Sequence, residues 1–184
     1  MAIHRSFRQG QRRRPIGPDL GQCEGVVAER ILGALYGAAA QLDRLGIRYA
    51  AIGGLAVGAH GAPRATKDVD FLVGEEAFEH HGPIVSFRAG LPIVFGDVAV
   101  DPVSIGVEEE FLNAAFNTAV VSHGVPVIAL APLIYMKLSA GRRQDIADVA
   151  RLMESADARP VRAYLKLHAP ELLPLLIQCM EREP

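Results

Sequence analysis

Asp68 and Asp70 stand two apart in the run Lys67-Asp-Val-Asp-Phe-Leu-Val, where every residue around them after Lys67 is apolar. Alternate side chains of a strand share a face, so the two carboxylates point one way and Val69 and Phe71 point into a core. Carboxylates about 7 Å apart along a strand suit shared Mg²⁺ ions, which take oxygen ligands and bind through one or two carboxylates plus substrate phosphates. Upstream, across a gap of 13 residues, Gly53-Gly54 ends the apolar run Tyr49–Ile52 and precedes a short apolar segment, Leu55 to His60. A glycine turn at a helix start offers bare backbone N–H groups to phosphate. Arg64 and Thr66 adjoin the acidic pair, placed either to contact phosphate or to stabilise the turn. Either half of this pattern alone is weak. Together, glycine turn then acidic pair, they describe a metal-dependent site for nucleotide phosphates.

A third carboxylate comes from a hairpin further on. Ile93–Phe95 and Val98–Asp101 read as strands joined by the two-residue loop Gly96-Asp97. Period two sets Ala99 and Asp101 on one face and Val98 and Val100 on the other. Asp101 is the candidate for the site, and Asp97, the rival, is explained by its turn position.

These residues resemble the signature of the polymerase-beta-type nucleotidyltransferase superfamily. They are most similar to its AbiEii-type toxins, in Gly53-Gly54-Leu55-Ala56, His60-Gly61 and Arg64-Ala65-Thr66-Lys67-Asp68-Val69-Asp70. The run Pro132 to Leu152 adds a family-like block with Lys137 on a helix, then Arg142, then Asp145-x-x-Asp148-Val149. The resemblance spans roughly residues 48–153. It implies an α/β (α+β) fold, a small mixed sheet flanked by helices with a helical C-terminal part. It also implies Mg²⁺-dependent transfer of a nucleoside monophosphate from an NTP to an acceptor hydroxyl, with release of pyrophosphate. Asp68, Asp70 and Asp101 would hold one or two Mg²⁺ ions. Gly53, Gly54, Arg64, Thr66 and Lys137 would hold the nucleotide, and Asp145 belongs with Lys137 among the catalytic residues. For the acceptor, the resemblance points to the 3′ end of tRNA, and for a partner to a neutralising antitoxin. Three rivals stand beside it: a small-molecule acceptor of the aminoglycoside kind, a protein acceptor, and a degenerate nucleotide-binding partner protein. Blander readings of single residues also stand. Lys137 is then a solvated helix lysine, and Asp145 and Asp148 pair with Arg142 and Arg151 along one helix.

The elements that must position these groups follow from periodicity. A helix is expected from Glu24 to Leu45, with Val27, Ile31, Leu32, Leu35, Leu42 and Leu45 on one face and Gly46 as its stop. Strands are expected at Arg48–Ile52, Val69–Val73 and Val125–Leu130, the last pushed by Pro126 toward an edge position or a late start. Phe78, His80 and His81 fall in an expected short helix and loop, and Val107 to Ala119 is a helix by spacing. From Ala131 the chain reads as helical, bent or broken at Gly141 and ended by Pro160. Two short helices follow, near Val161–Leu167 and Pro170–Met180, whose leucines pack on the body or serve a partner.

The organisation is a basic arm (residues 1–22), a core (23–130) and a helical end (131–184). In the whole chain of 184 residues the formal net charge is only −2, but all five Arg of the first 18 residues precede the first acid, Asp19. The rest holds 14 basic and 21 acidic residues. A basic arm on an acidic body suits an anionic partner such as RNA, or else is an irregular leader. Cys23 and Cys179 are expected as free thiols, His60 as a packing residue beneath the glycine turn, and the other histidines lack zinc-ligand spacing. No apolar run approaches about 18 residues, so no membrane span is expected and a cytoplasmic location is the default.

Overall fold

A computed structural model describes residues 17–103 and 109–181. The Arg-rich residues 5–14 and the start of the helix expected from Val107 lie outside the described residues. Helix α1 (Glu29–Leu45) buries Ile31, Ala34, Leu35, Ala38 and Leu42, the i, i+3, i+4 spacing of one face. Gly46 closes it in the left-handed conformation (φ 66°), its N–H donating to the Asp43 and Leu42 carbonyls. Strand β1 (Tyr49–Ala51) leads into the short helix α2 (Gly53–Ala59), and β2 (Val69–Val73) returns antiparallel to β1, with Ala51 opposite Phe71.

Beyond β2 come β3 (Phe78–His81) and β4 (Ile84–Phe87), then β5 (Val94–Phe95) and β6 (Val98–Val103). Helix α3 (Glu109–Thr118) precedes β7 (Val120–Ser122) and β8 (Val125–Val127). Four helices complete the chain: α4 (Leu130–Ala140), α5 (Arg143–Met153), α6 (Ala158–His168) and α7 (Leu173–Glu181). The main sheet has the order β5-β6-β2-β1-β8-β7, and β3-β4 form a separate two-stranded sheet. It is mixed, with β2 parallel to β6 and β1 parallel to β8, while β1–β2, β5–β6 and β7–β8 run antiparallel. The expected architecture, a small mixed sheet flanked by helices with a helical C-terminal part, is the one observed. Helix α1 packs on β2, β5 and β6, and α4 packs on α5 and α6. Val69, Phe71, Leu72 and Val73 are all buried, so β2 is covered on both faces along most of its length. Phe71 meets the Tyr49 ring edge-on at 5.3 Å.

Several local expectations are corrected. Within the arm expected to be irregular, Leu20–Cys23 forms a 3₁₀ turn capped by the Asp19 carboxylate, with Leu20 and Cys23 fully buried. The first long helix starts at Glu29, because Gly25 takes a left-handed conformation (φ 75°) ahead of it. Phe78–His81 is a strand of a hairpin rather than a short helix. The β8 strand is not at an edge: Val120–Ser122, a strand the sequence reading missed, pairs outside it. Its pairing with β1 is brief, at Ala51 and Val127 with the Ile128 N–H donating to the Ala51 carbonyl, so the missing N–H of Pro126 is tolerated. Pro160 does not end a helix. It lies in the first turn of α6, behind the Asp157 cap, where a backbone N–H has no helical partner to lose. Gly141 does break the run, left-handed at φ 64° between α4 and α5. The leucines of the last helix pack on the body, Leu176 buried and Leu173 and Leu175 partly so. Cys23 and Cys179 are both buried thiols.

Since Phe71 is fully buried at the centre of the sheet, Phe71→Ala is expected to destabilise the chain by about 3–5 kcal/mol. Urea unfolding checks this through the midpoint, at an unchanged slope.

Candidate active site

The antiparallel return of β2 along β1 sets Asp70 beside the glycine turn, with the Ile52 N–H donating to the Asp70 carbonyl at 3.0 Å. Gly53 adopts φ 61°, and a Cβ placed on it would run into the Asp70 carboxylate. Two requirements therefore fall on one residue, a left-handed backbone and an empty side-chain volume, and glycine meets both. At Gly54 an added Cβ would meet Thr66 Oγ1 at 2.9 Å and the Arg64 guanidinium at 3.4 Å. The glycine pair is thus the floor on which Asp70, Thr66 and Arg64 rest.

Parallel pairing brings in the third carboxylate. Asp70 and Asp101 are register partners on β2 and β6, neighbours on one face of strands about 4.8 Å apart. Along β6, Val98 and Val100 are buried while Ala99 and Asp101 are exposed, the alternation expected from the sequence. Asp97, the rival, sits in the hairpin turn and pairs with Arg30 at 2.6 Å on the surface. Asp68 accepts a hydrogen bond from Thr66 Oγ1 at 3.0 Å, which gives Thr66 an orienting role.

Burial pushes the Asp70 carboxyl up to about 6. The charges of Asp68 and Asp101 push the same way, and Lys137 and Arg142 oppose them. Loss of water around the carboxylate is thus the larger cause, and its acidic neighbours add to it.

The neighbouring cluster is arranged differently. Lys137 on α4, its side chain 7% exposed, places Nζ 2.9 Å from Asp145 and 2.8 Å from Asp148, both on α5 and both buried. Arg64 holds Asp148 through two bonds of 2.8 and 2.9 Å, and Gln144 adds a third donor at 2.9 Å. Arg142 donates to the other oxygen of Asp145 at 2.6 Å. Burial alone would raise both carboxyls, but these hydrogen bonds outweigh it and hold Asp145 and Asp148 below the usual carboxylate range.

A cleft of about 380 Å³ joins the two clusters. Of the residues singled out from sequence, Gly53, Gly54, Arg64, Thr66, Asp68, Asp70, Lys137 and Asp145 line it, and Asp101 adjoins it through Asp70. Lys137 is no solvated helix lysine. Asp148 pairs across the fold rather than with Arg151 on its own helix. His60, as expected, is a packing residue, with Nε2 2.8 Å from the Ile128 carbonyl and burial holding its ring below the usual histidine range. Sequence reasoning missed Lys67, Arg142 and Gln144 as lining residues. The available signal was position: Lys67 lies within the Arg64–Asp70 motif, and Arg142 and Gln144 flank the start of the helix that carries Asp145.

No family model matches the chain, and no curated protein matches it. Among solved structures, the fold is similar to that of an antigenic nucleotidyltransferase-like protein from Paracoccidioides brasiliensis. The identity is 18% and the TM-score 0.47, over 83% of this chain and 94% of that one. A likeness of that size carries nothing about activity, which has to be read from the site itself.

Whether the site suits a divalent metal is decided by its donors and its charge. Among the described residues, no group of three or more His, Cys, Asp or Glu side chains is arranged to hold a metal ion as it stands. The donor type nevertheless fits. Asp68, Asp70 and Asp101 are hard oxygen donors, and a cation beside them would favour the ionised form of Asp70, which burial and its acidic neighbours disfavour.

Two expectations follow. Because the folded chain holds the Asp70 proton more tightly than the unfolded chain, stability falls as pH rises from about 4 through about 6. Asp70→Asn should therefore melt higher than wild type at pH 8, by about 1–3 kcal/mol or a few degrees, an advantage that vanishes below pH 4. Calorimetry at the two pH values checks this. Gly53→Ala, strained at φ 61° and colliding with Asp70, should cost about 1–3 kcal/mol of stability in the same assay.

Proposed function

We propose that the chain is a Mg²⁺-dependent nucleotidyltransferase that moves a nucleoside monophosphate from an NTP to an acceptor hydroxyl. One observation carries this reading. Three carboxylates on and beside adjacent strands gather next to a glycine turn, and burial, with the charges of Asp68 and Asp101 added to it, raises Asp70 to about 6. A buried carboxylate among like charges is what a bound cation offsets. Asp68, Asp70 and Asp101 would hold the metal, which supplies charge neutralisation at the phosphates and acidifies a bound hydroxyl.

The chain's own residues account for the rest. Gly53 and Gly54 let the Asp70 carboxylate and Thr66 pack directly on the backbone at the start of α2, where bare N–H groups would meet the phosphates. Asp101, the exposed carboxylate of the three, accepts the proton of the acceptor hydroxyl as its oxygen attacks the α-phosphorus. The bond from that phosphorus to the bridging oxygen breaks, and pyrophosphate leaves with the electron pair. Lys137, fixed between Asp145 and Asp148, contributes positive charge toward the leaving group without losing its place.

For the acceptor, the 3′ end of tRNA is favoured by the resemblance to AbiEii-type toxins and by the five arginines ahead of Asp19, which suit RNA phosphates. The same resemblance makes a cognate antitoxin the natural protein partner. Among the described residues, no helix is long and apolar enough to cross a membrane.

The deciding experiment offers purified protein total tRNA, Mg²⁺ and each labelled NTP in turn. A labelled tRNA band is expected from one NTP, lost on adding EDTA and reduced at least about 10³-fold in Asp70→Ala. Equal labelling by Asp70→Ala would remove the metal assignment, and no labelling with any NTP would remove the tRNA assignment. Deleting residues 1–16 should weaken transfer to tRNA and flatten its salt dependence.

A further inference from the structure

The four cations around the cleft are not equivalent. Arg64 and Lys137 are committed. Both bind the fully buried Asp148, Arg64 through two bonds, and Lys137 also binds Asp145, so each is held by two bonds to buried carboxylates and moving it gives up both. Lys67 is exposed on the rim. Arg142 is the intermediate case, anchored yet open. Its side chain is 79% exposed, and a single bond from Nε to Asp145 sets its direction. Releasing that bond strands nothing, because Lys137 still serves Asp145. The Asp145 bond is the main cause that raises the hold of Arg142 on its proton, and Asp70 and Asp68 stand close enough to add to it.

We infer that Arg142 is the residue that grips the polyphosphate of the substrate, with Asp145 as the residue that aims it. A guanidinium held through Nε keeps terminal NH₂ groups for a ligand, and its planar fork matches phosphate oxygens in pairs. Lys137, first expected on the triphosphate, becomes a fixed positive charge rather than a mobile ligand. The division explains why Lys137, buried, and Arg64, partly buried, are doubly held while a third cation is singly held and open. This inference rests on the nucleotidyltransferase reading for the identity of the ligand, an NTP polyphosphate with its Mg²⁺.

The test separates the two. Binding of Mg²⁺-tripolyphosphate, a probe without base or ribose, is measured by calorimetry on the full chain. The variants are wild type, Arg142→Gln and, as a control on the adjoining residue outside the cleft lining, Arg143→Gln. Expected is a loss of about 10-fold or more in Arg142→Gln, none in Arg143→Gln, and unchanged melting temperatures in both. In turnover, the same substitution should raise KM for NTP more than it lowers kcat. Wild-type binding retained in Arg142→Gln would overturn the role of Arg142 and leave the nucleotidyltransferase reading intact. Absence of binding by the wild-type chain would overturn both.

Discussion

The buried lysine between two aspartates is the interaction on which the arrangement of the site depends. Lys137 comes from α4, Asp145 and Asp148 from α5, and Arg64 from the segment that leads into β2. Taking these charges out of water costs several kcal/mol each, and the cost is recovered only if every partner is in place. Here the set is closed: Asp148 receives Arg64 twice, Lys137 and Gln144, while Asp145 receives Lys137 and Arg142. The consequence is positional. Arg64 from the loop and Lys137 from α4 meet on one buried carboxylate of α5, so the helical end is tied to the very loop that delivers Asp68 and Asp70.

That tie is what the sequence could not display. Arg64 and Asp148 lie 84 residues apart, and each has a nearer partner by simple helix spacing or turn chemistry. The local reading therefore set Asp148 against Arg151. By contrast, the acidic pair and the glycine turn were legible because their requirements are local: period two for Asp68 and Asp70, φ above zero for Gly53. The placement of Asp101 was legible too, since the turn at Gly96-Asp97 fixes the hairpin register and hence which face Asp101 takes.

Where the reading failed, the pattern itself was weak. Ile84–Phe87 is exposed at every position and Phe78–His81 at all but one, so no alternation between core and solvent marked them as strands. Val120–Ser122 is three residues long, too short for periodicity to register. Pro160 misled because a proline that ends one helix and a proline in the first turn of the next look alike without knowing where the cap lies, and here Asp157 is the cap. The helix expected from Glu24 starts late because Gly25 resists it, a backbone preference that apolar spacing does not report.

The two charge clusters of the cleft, side by side, are opposites in design. Around Lys137, carboxylates and cations match, hydrogen bonds saturate the oxygens, and Asp145 and Asp148 are held below the usual carboxylate range. Around Asp70, carboxylates outnumber the cations that face them, and the central one is pushed upward. If the second cluster existed only to support the fold, replacing one of its members with an uncharged residue would be a gain at no loss, and the nearby cations would have been drawn into it. Instead Arg64 and Lys137 are spent on the first cluster, and Asp70 is kept against Gly53, whose left-handed backbone and missing Cβ make any substitute costly. An imbalance held in place by a fully balanced frame is how a fold reserves room for charge that arrives from outside.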